Sequence, residues 1–302
     1  DAGICGTMGP RTAAAMVLAL AAPVATRMMR RADMMVPMPM EMAERGTSSL
    51  KQFALSPAAG KRLIAKGIAT HPEVLAAATS ATLVVVAGTT NGYIAEELLG
   101  ALGVSESFDR QRFFRGVTLP PKARPAEPVQ AARGFPGDVV IRRGQWLKGK
   151  TLFDVADELQ RGDVILKGAN ALDLEHSRAA VLVAHPKGGT IGAALEAFIG
   201  RRVRLLLPVG LEKRVPGNLD VIAEYLNAPG AEGLRLLPVP GTVYTELDAI
   251  RQLTGATAML VAAGGVCGAE GSVWLAVRGT GEQLEQAQQL LKPLLAEPVF
   301  AM

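Results

Sequence analysis

Short unbroken apolar runs recur along this chain and alternate with stretches of helical period, the pattern of strands buried on both faces between packed helices. The runs at 82–86, 163–166 and 203–209 read as strands. Each ends in a small polar cluster: Ala87-Gly88-Thr89-Thr90-Asn91, Lys167-Gly168-Ala169-Asn170 and Gly210-Leu211-Glu212-Lys213-Arg214. Helical spacing predicts helices over 57–69, 92–100, 151–160 and 191–199, with Ile94, Leu98 and Leu99 on one face of the second, and a short strand over 138–141. Strand, glycine turn and helix in that order begin a parallel-sheet unit. Beyond Pro216-Gly217 the order changes to a strand at 234–239, a helix at 242–253, strands at 257–263 and 272–277, and a helix at 280–294, closed by Pro298–Phe300. That order suits a ferredoxin-like layer. The expected fold is therefore α/β: a Rossmann-like parallel sheet with helices on both faces, plus a smaller C-terminal α+β layer. The corresponding division is 1–56, 57–216 and 217–302.

Two stretches interrupt this pattern. Residues 11–31 have helical character, broken by Pro23, and their uncharged part, Thr12–Thr26, reads as a buried helix with a targeting segment as the alternative. Five methionines between 34 and 42 then offer adaptable apolar side chains for a core or a subunit contact. Residues 117–137 contain Pro120-Pro121, Pro125, Pro128 and Pro136, which makes them a connection or flap.

Composition narrows the function classes. With 49% hydrophobic and 20% charged residues over 302 positions, the chain can build a substantial core. Aromatic residues are only 4%, leaving few platforms for stacked bases, and the net charge of +4 is spread without a basic block. Both features argue against nucleic acid and favour a small anionic metabolite as partner, in a cytoplasmic protein without a membrane span and open to homo-oligomer formation. Cys5 and Cys267 have no metal-site spacing, and the three histidines have no ligand partner at helical distance, so no metal or other cofactor is expected.

In open α/β sheets ligands bind beyond the carboxyl ends of the strands, which makes the three polar clusters the candidate site. At Gly88, Thr89, Thr90 and Asn91 a helix start can hold phosphate or carboxylate with backbone N–H groups and hydroxyls. The alternative is an ordinary cap made by Thr90 or Asn91. Lys167 and Lys213 follow buried strands and can meet an anion, and Asn170 can bond a ligand hydroxyl.

Lys61, Ile64-Ala65, Ala87-Gly88-Thr89-Thr90, Gly168-Ala169-Asn170-Ala171-Leu172-Asp173, Glu196-Ala197 and Lys213 stand in an order that resembles DeoR-type sugar-sensing domains. More broadly, residues 55–216 resemble the superfamily that also holds ribose-5-phosphate isomerase, glucosamine-phosphate isomerase-like proteins and CoA transferases. The resemblance implies sugar-phosphate binding. The turn Lys187-Gly188-Gly189, with Glu196 nine positions after Lys187, is similar to the isomerases' Lys-Gly-Gly turn and catalytic Glu, and implies ligand contacts at the turn and Glu196 as a general base.

Those isomerases carry Asp-Gly-Ala-Asp where this chain has Lys167-Gly168-Ala169-Asn170. The expectation is thus binding of a phosphorylated sugar or similar anion without the pentose isomerase mechanism. The alternative is an isomerase or a CoA-transferase-like enzyme: the stretch 262–271, with Glu270-Gly271, is similar to the Gly-rich and Glu-Gly motifs of CoA transferases and offers Glu270 as a nucleophile.

Overall fold

The computed structural model describes residues 49–115 and 135–300, which lie in one compact unit. The expectations for residues 1–48, including the Met-rich segment, and nearly all of the Pro-rich stretch lie outside the described residues.

A six-stranded mixed sheet forms the centre. Four of its strands are parallel: β2 (Thr82–Val85), β5 (Val164–Leu166), β8 (Arg204–Pro208) and β10 (Thr242–Tyr244). Beyond β2 the sheet continues with an antiparallel pair, β3 (Val139–Arg142) and β4 (Gln145–Trp146), to give the order β10-β8-β5-β2-β3-β4. Val84, Ile165 and Leu205 align across the three central strands, all with essentially no exposure. Burial on both faces of these strands requires helices on both sides, which accounts for the continuous apolar runs. The expected α/β architecture is therefore present, with a mixed rather than purely parallel sheet.

The covering helices include α1 (Pro57–Ala69), α2 (Pro72–Ser80), α3 (Thr89–Ala101), the short α4 (Leu152–Val155) and α5 (Thr190–Arg201). Helix α1 starts where Ser56 Oγ accepts from Ala59 N and Pro57 occupies the first turn. It packs against α3 and against α7 (Glu246–Thr254). That packing needs a small residue at Gly60, where a Cβ would stand 2.5 Å from Glu246 Oε1.

Two further sheets flank the centre. The hairpin β6 (Ala171–Asp173) and β7 (Arg178–Val183) pairs with β9 (Arg235–Val239), and α6 (Leu219–Asn227) covers it through Leu219 and Ala223. The other sheet has the order β1-β12-β11, built from β1 (Ser49–Leu55), β12 (Val273–Gly279) and β11 (Thr257–Ala263), with α8 (Gly281–Leu294) packed against it.

The elements expected after residue 216 exist, but they are distributed over all three sheets. The strand at 235–239 joins the β6–β7 hairpin, and 242–244 becomes an edge of the main sheet instead of the start of a helix. The β11–β12 hairpin is completed by β1, from the other end of the chain. Residues 298–300 form no strand; Phe300 packs edge-on against Phe114. Each exchange satisfies a strand edge with a partner distant in sequence, which local pattern does not reveal.

Candidate functional site

Two buried carboxylates tie the main sheet together at opposite ends. At the amino edge Asp163 Oδ1 accepts from Thr82 N at 2.7 Å and its Oδ2 from Gln160 N at 2.8 Å. At the carboxyl edge Asp138 Oδ1 accepts from Ala87 N and its Oδ2 from Leu152 N, both at 2.8 Å, and Arg115 Nη2 donates to Asp138 at 3.2 Å. Asn91 adds a third tie, since its Nδ2 donates to Val86 O at 2.7 Å and to Leu166 O at 3.0 Å. Asn91 thus holds the ends of β2 and β5 together, while its Oδ1 is buried without a hydrogen-bond partner among the described residues.

The turn Ala87–Thr90 leads from β2 into α3. Thr89, Thr90 and Asn91 begin this helix with N–H groups that no earlier helical carbonyl can accept, and no side chain caps them. Among the described residues no atom stands within 4 Å of where a Cβ would be at Gly88 or Gly168. The turn is contacted by charged groups at both of its ends.

At its start stand Asp138, Arg115 and Lys167. Lys167 leaves the end of β5, is partly buried, and gives its ammonium one long hydrogen bond, 3.3 Å to Gly168 O. Burial lowers its pKa to about 8 against the opposing attraction of Asp138, and Arg115 lowers it further.

At the other end of the turn Lys213 Nζ lies 3.4 Å from Thr90 Oγ1 and 3.3 Å from Glu212. Lys61, on α1, is held below the usual lysine range chiefly by burial, with Glu212, Lys213, Glu246 and Arg110 as charged neighbours. Among the described residues Lys61 makes no hydrogen bond and no ion pair within 4 Å. Glu246 is almost completely buried and accepts from Leu211 N at 3.0 Å, which fixes the turn carrying Glu212 and Lys213. Burial, then the nearby Glu212 carboxylate, push its pKa up to about 8. Arg110 is paired with Glu96 at 3.4 Å and Glu297 at 3.7 Å, so with Glu246 protonated it is Lys61 and Lys213 that face the single negative charge of Glu212, and this end of the turn carries a small positive excess.

The structure therefore brings together Gly88, Thr89, Thr90, Asn91, Lys167 and Lys213 along one edge. Asn170 stands at the same strand end, and its Oδ1 is engaged by Leu182 N at 3.0 Å, securing the β6–β7 hairpin. The turn Lys187-Gly188-Gly189 precedes α5, with positive φ at both glycines. Since α5 returns the chain to the start of β8, this turn belongs to the carboxyl side of the sheet. Lys187 is exposed, and so is Glu196, on the face of α5 opposite the buried Ile191, Ala194 and Ala197. Among the described residues neither bonds Thr90, Lys167 or Lys213.

Arg110 and Asp138 carried no sequence signal as site residues, because their neighbours come from distant segments. Glu246 reads locally as the first residue of a helix after its cap Thr245; only the approach of α1 and the 211–213 turn makes it a buried acid.

A cavity of about 710 Å³ adjoins the Lys213 group and shares Glu212 with it. Asp173, Glu175, Glu270 and His176 line it, with Arg214. His176 Nδ1 lies 2.9 Å from Asp173 Oδ2, and hydrogen bonds from His176 lower the Asp173 pKa against the opposing effect of burial. Glu270 is exposed at the cavity wall. No group of His, Cys, Asp and Glu among the described residues could hold a metal ion, and none of their helices is long and apolar enough to cross a membrane.

No protein-family model, curated protein or solved structure matches this chain. The class rests on the fold and the charged edge: an α/β protein whose parallel strands end at an open, cation-rich turn.

Proposed function

We propose that this chain binds a small anionic metabolite, with a phosphorylated sugar as the best fit, at the carboxyl edge of the main sheet. The observation that carries the reading is the meeting of Lys213 Nζ and Thr90 Oγ1, 123 positions apart, at the uncapped start of α3, beside Lys61, which has no hydrogen bond or ion pair among the described residues. Free helical N–H groups, a hydroxyl and two ammonium groups are the donors an anion needs, and the helix dipole adds to their attraction. Among the described residues nothing occupies the space over Gly88 and Gly168, which leaves room for the hydroxyl-bearing portion of the sugar.

The same residues support kinship with the sugar-phosphate superfamily that holds DeoR-type sensors, ribose-5-phosphate isomerase and CoA transferases, as a divergent member. On this reading the protein works in the cytoplasm, where phosphorylated intermediates are kept. Lys167 and Asn170 in place of two carboxylates leave the pentose isomerase mechanism without its bases. No observation favours Glu196 or Glu270 as a catalytic group, since both are exposed and neither bonds the charged edge.

A thermal-shift screen of sugar phosphates, nucleotides and CoA esters tests the proposal. A true ligand at ~100 times its dissociation constant adds about 2.7 kcal/mol and raises the unfolding midpoint. The absence of any shift at millimolar concentration across the screen removes the reading.

A further inference from the structure

Lys167 has a role open to it that simple anion binding does not use. It stands at the end of the central strand β5, with its backbone N–H bonded to Leu206 O and the preceding carbonyl held by Asn91. Its position is therefore fixed by β8 on one side and by the first turn of α3 on the other. Its amine makes one 3.3 Å contact, to the carbonyl of Gly168, and no ion pair within 4 Å among the described residues. The nearest opposite charge, Asp138, is already committed to Ala87 N, Leu152 N and Arg115. A lysine that is desolvated, adjacent to another cation and left unpaired is a poor structural choice but a good nucleophile, because its neutral amine is the reactive form. Burial and Arg115 act in that direction here. The open space at Gly88 and Gly168 leaves room for a small molecule at the same strand ends.

We infer that Lys167 captures a small phosphorylated aldehyde or ketone as an imine, its phosphate held at the Thr89–Thr90 helix start. The choice of a phosphorylated carbonyl rests on the anion-binding reading above; the nucleophilic lysine does not. In the step the Nζ lone pair attacks the carbonyl carbon, the C=O π pair moves to oxygen, which takes a proton from water, and the nitrogen, now positive, gives the first of its two protons to the hydroxide so formed. The carbinolamine then loses water, with the nitrogen proton returning to solvent, and the C=N bond remains. No oxidant or reductant is consumed.

The test uses the full chain, glycolaldehyde phosphate as probe and added sodium cyanoborohydride, which delivers hydride to the imine carbon and makes the adduct permanent. Intact mass and peptide mapping then locate the label. Lys167 should be modified at least about tenfold faster than the exposed Lys187, since an unprotonated amine reacts and an ammonium does not. Lys167→Met and Lys167→Arg should both lose this label and keep the unfolding midpoint; if the methionine variant does not fold, the arginine variant and the wild-type map decide. Label spread evenly over the exposed lysines, or retained in the variants, overturns the inference. Two control arms separate it from the binding reading. Stabilisation by glycerol 3-phosphate without label on Lys167 leaves binding intact and removes the imine. Equal labelling of Lys167 by phosphate-free glycolaldehyde, untouched by glycerol 3-phosphate, keeps the nucleophile and removes the phosphate site.

Discussion

The two edges of the main sheet use the same device for different ends. At the amino edge Asp163 is surrounded by backbone donors, Thr82 N and Gln160 N, and the charge is consumed in holding β2 to the segment before β5. At the carboxyl edge Asp138 also holds two backbone N–H groups, yet Arg115 and Lys167 crowd the same carboxylate, and Lys61 and Lys213 gather at the far end of the turn. The amino edge thus balances its buried charge internally. The carboxyl edge keeps a positive excess and open space at Gly88 and Gly168, which is the condition for recruiting an anion. The cavity beside Glu212 teaches a related point: at about 710 Å³ it has plenty of volume, but its acidic lining repels the same ligand.

The strongest way to break the comparison is to remove each carboxylate in turn. Asp163→Ala and Asp138→Ala should each cost about 3–5 kcal/mol in chemical unfolding, because each strands buried donors and Asp138→Ala also strands Arg115. Only Asp138→Ala should change the reactivity of Lys167 toward the aldehyde probe. An equal change from Asp163→Ala would show that the edges are not functionally distinct.

Next in size is the pH dependence set by Glu246. Its folded pKa, about 8, lies above the ordinary glutamate value of 4.5, so the folded state holds a proton that the unfolded state releases. Its contribution is present in full below the unfolded pKa and is lost as pH rises to and through about 8. Stability should fall across that window by at most about 1.4 kcal/mol per pH unit from this group. Glu246→Gln should flatten the slope, as read from urea midpoints at several pH values; an unchanged slope would deny that the acid is buried and protonated.

Lys213→Ala sharpens the functional half. It should weaken the binding of a phosphorylated ligand by about 1.5–3 kcal/mol in calorimetry, the worth of a charge-assisted hydrogen bond, while leaving the unfolding midpoint nearly unchanged. Loss of stability with unchanged affinity would make the Thr90–Lys213 contact structural. The smallest effect belongs to the acidic cavity: Glu270→Gln should alter the same affinity by less than about 0.5 kcal/mol, as expected for an exposed group away from the bound anion. A larger loss would move the binding site into the cavity.

Much of the central architecture was legible in the chain. The apolar runs ending at Val86, Leu166 and Val209 are strands of the main sheet or continue directly from them, and helices occur at 57–69, 89–101, 190–201 and 281–294 because their apolar positions repeat at helical spacing. Of the site, the Gly88–Asn91 turn and Lys213 could be picked out because a strand followed by a small polar turn has a local signature. Helix α2 and the β6–β7 hairpin were not anticipated: the alanine-rich 72–80 stretch shows little amphipathic contrast, and strands of three to six residues leave only a short alternation to read.

What the sequence determined by itself is the set of local preferences: which residues avoid water, where glycine and proline end an element, and which strand ends carry lysines and hydroxyls. The tertiary structure alone decided that β1 completes the β11–β12 hairpin, that β10 closes the edge of the main sheet, and that Glu246 becomes a buried acid beneath Lys61 and Lys213. The physical reason is that strand pairing and electrostatics depend on distance in space. An unpaired strand edge or an ammonium group is satisfied by whatever the fold brings within a few ångströms, and for Thr90 and Lys213 that neighbour is 123 residues away.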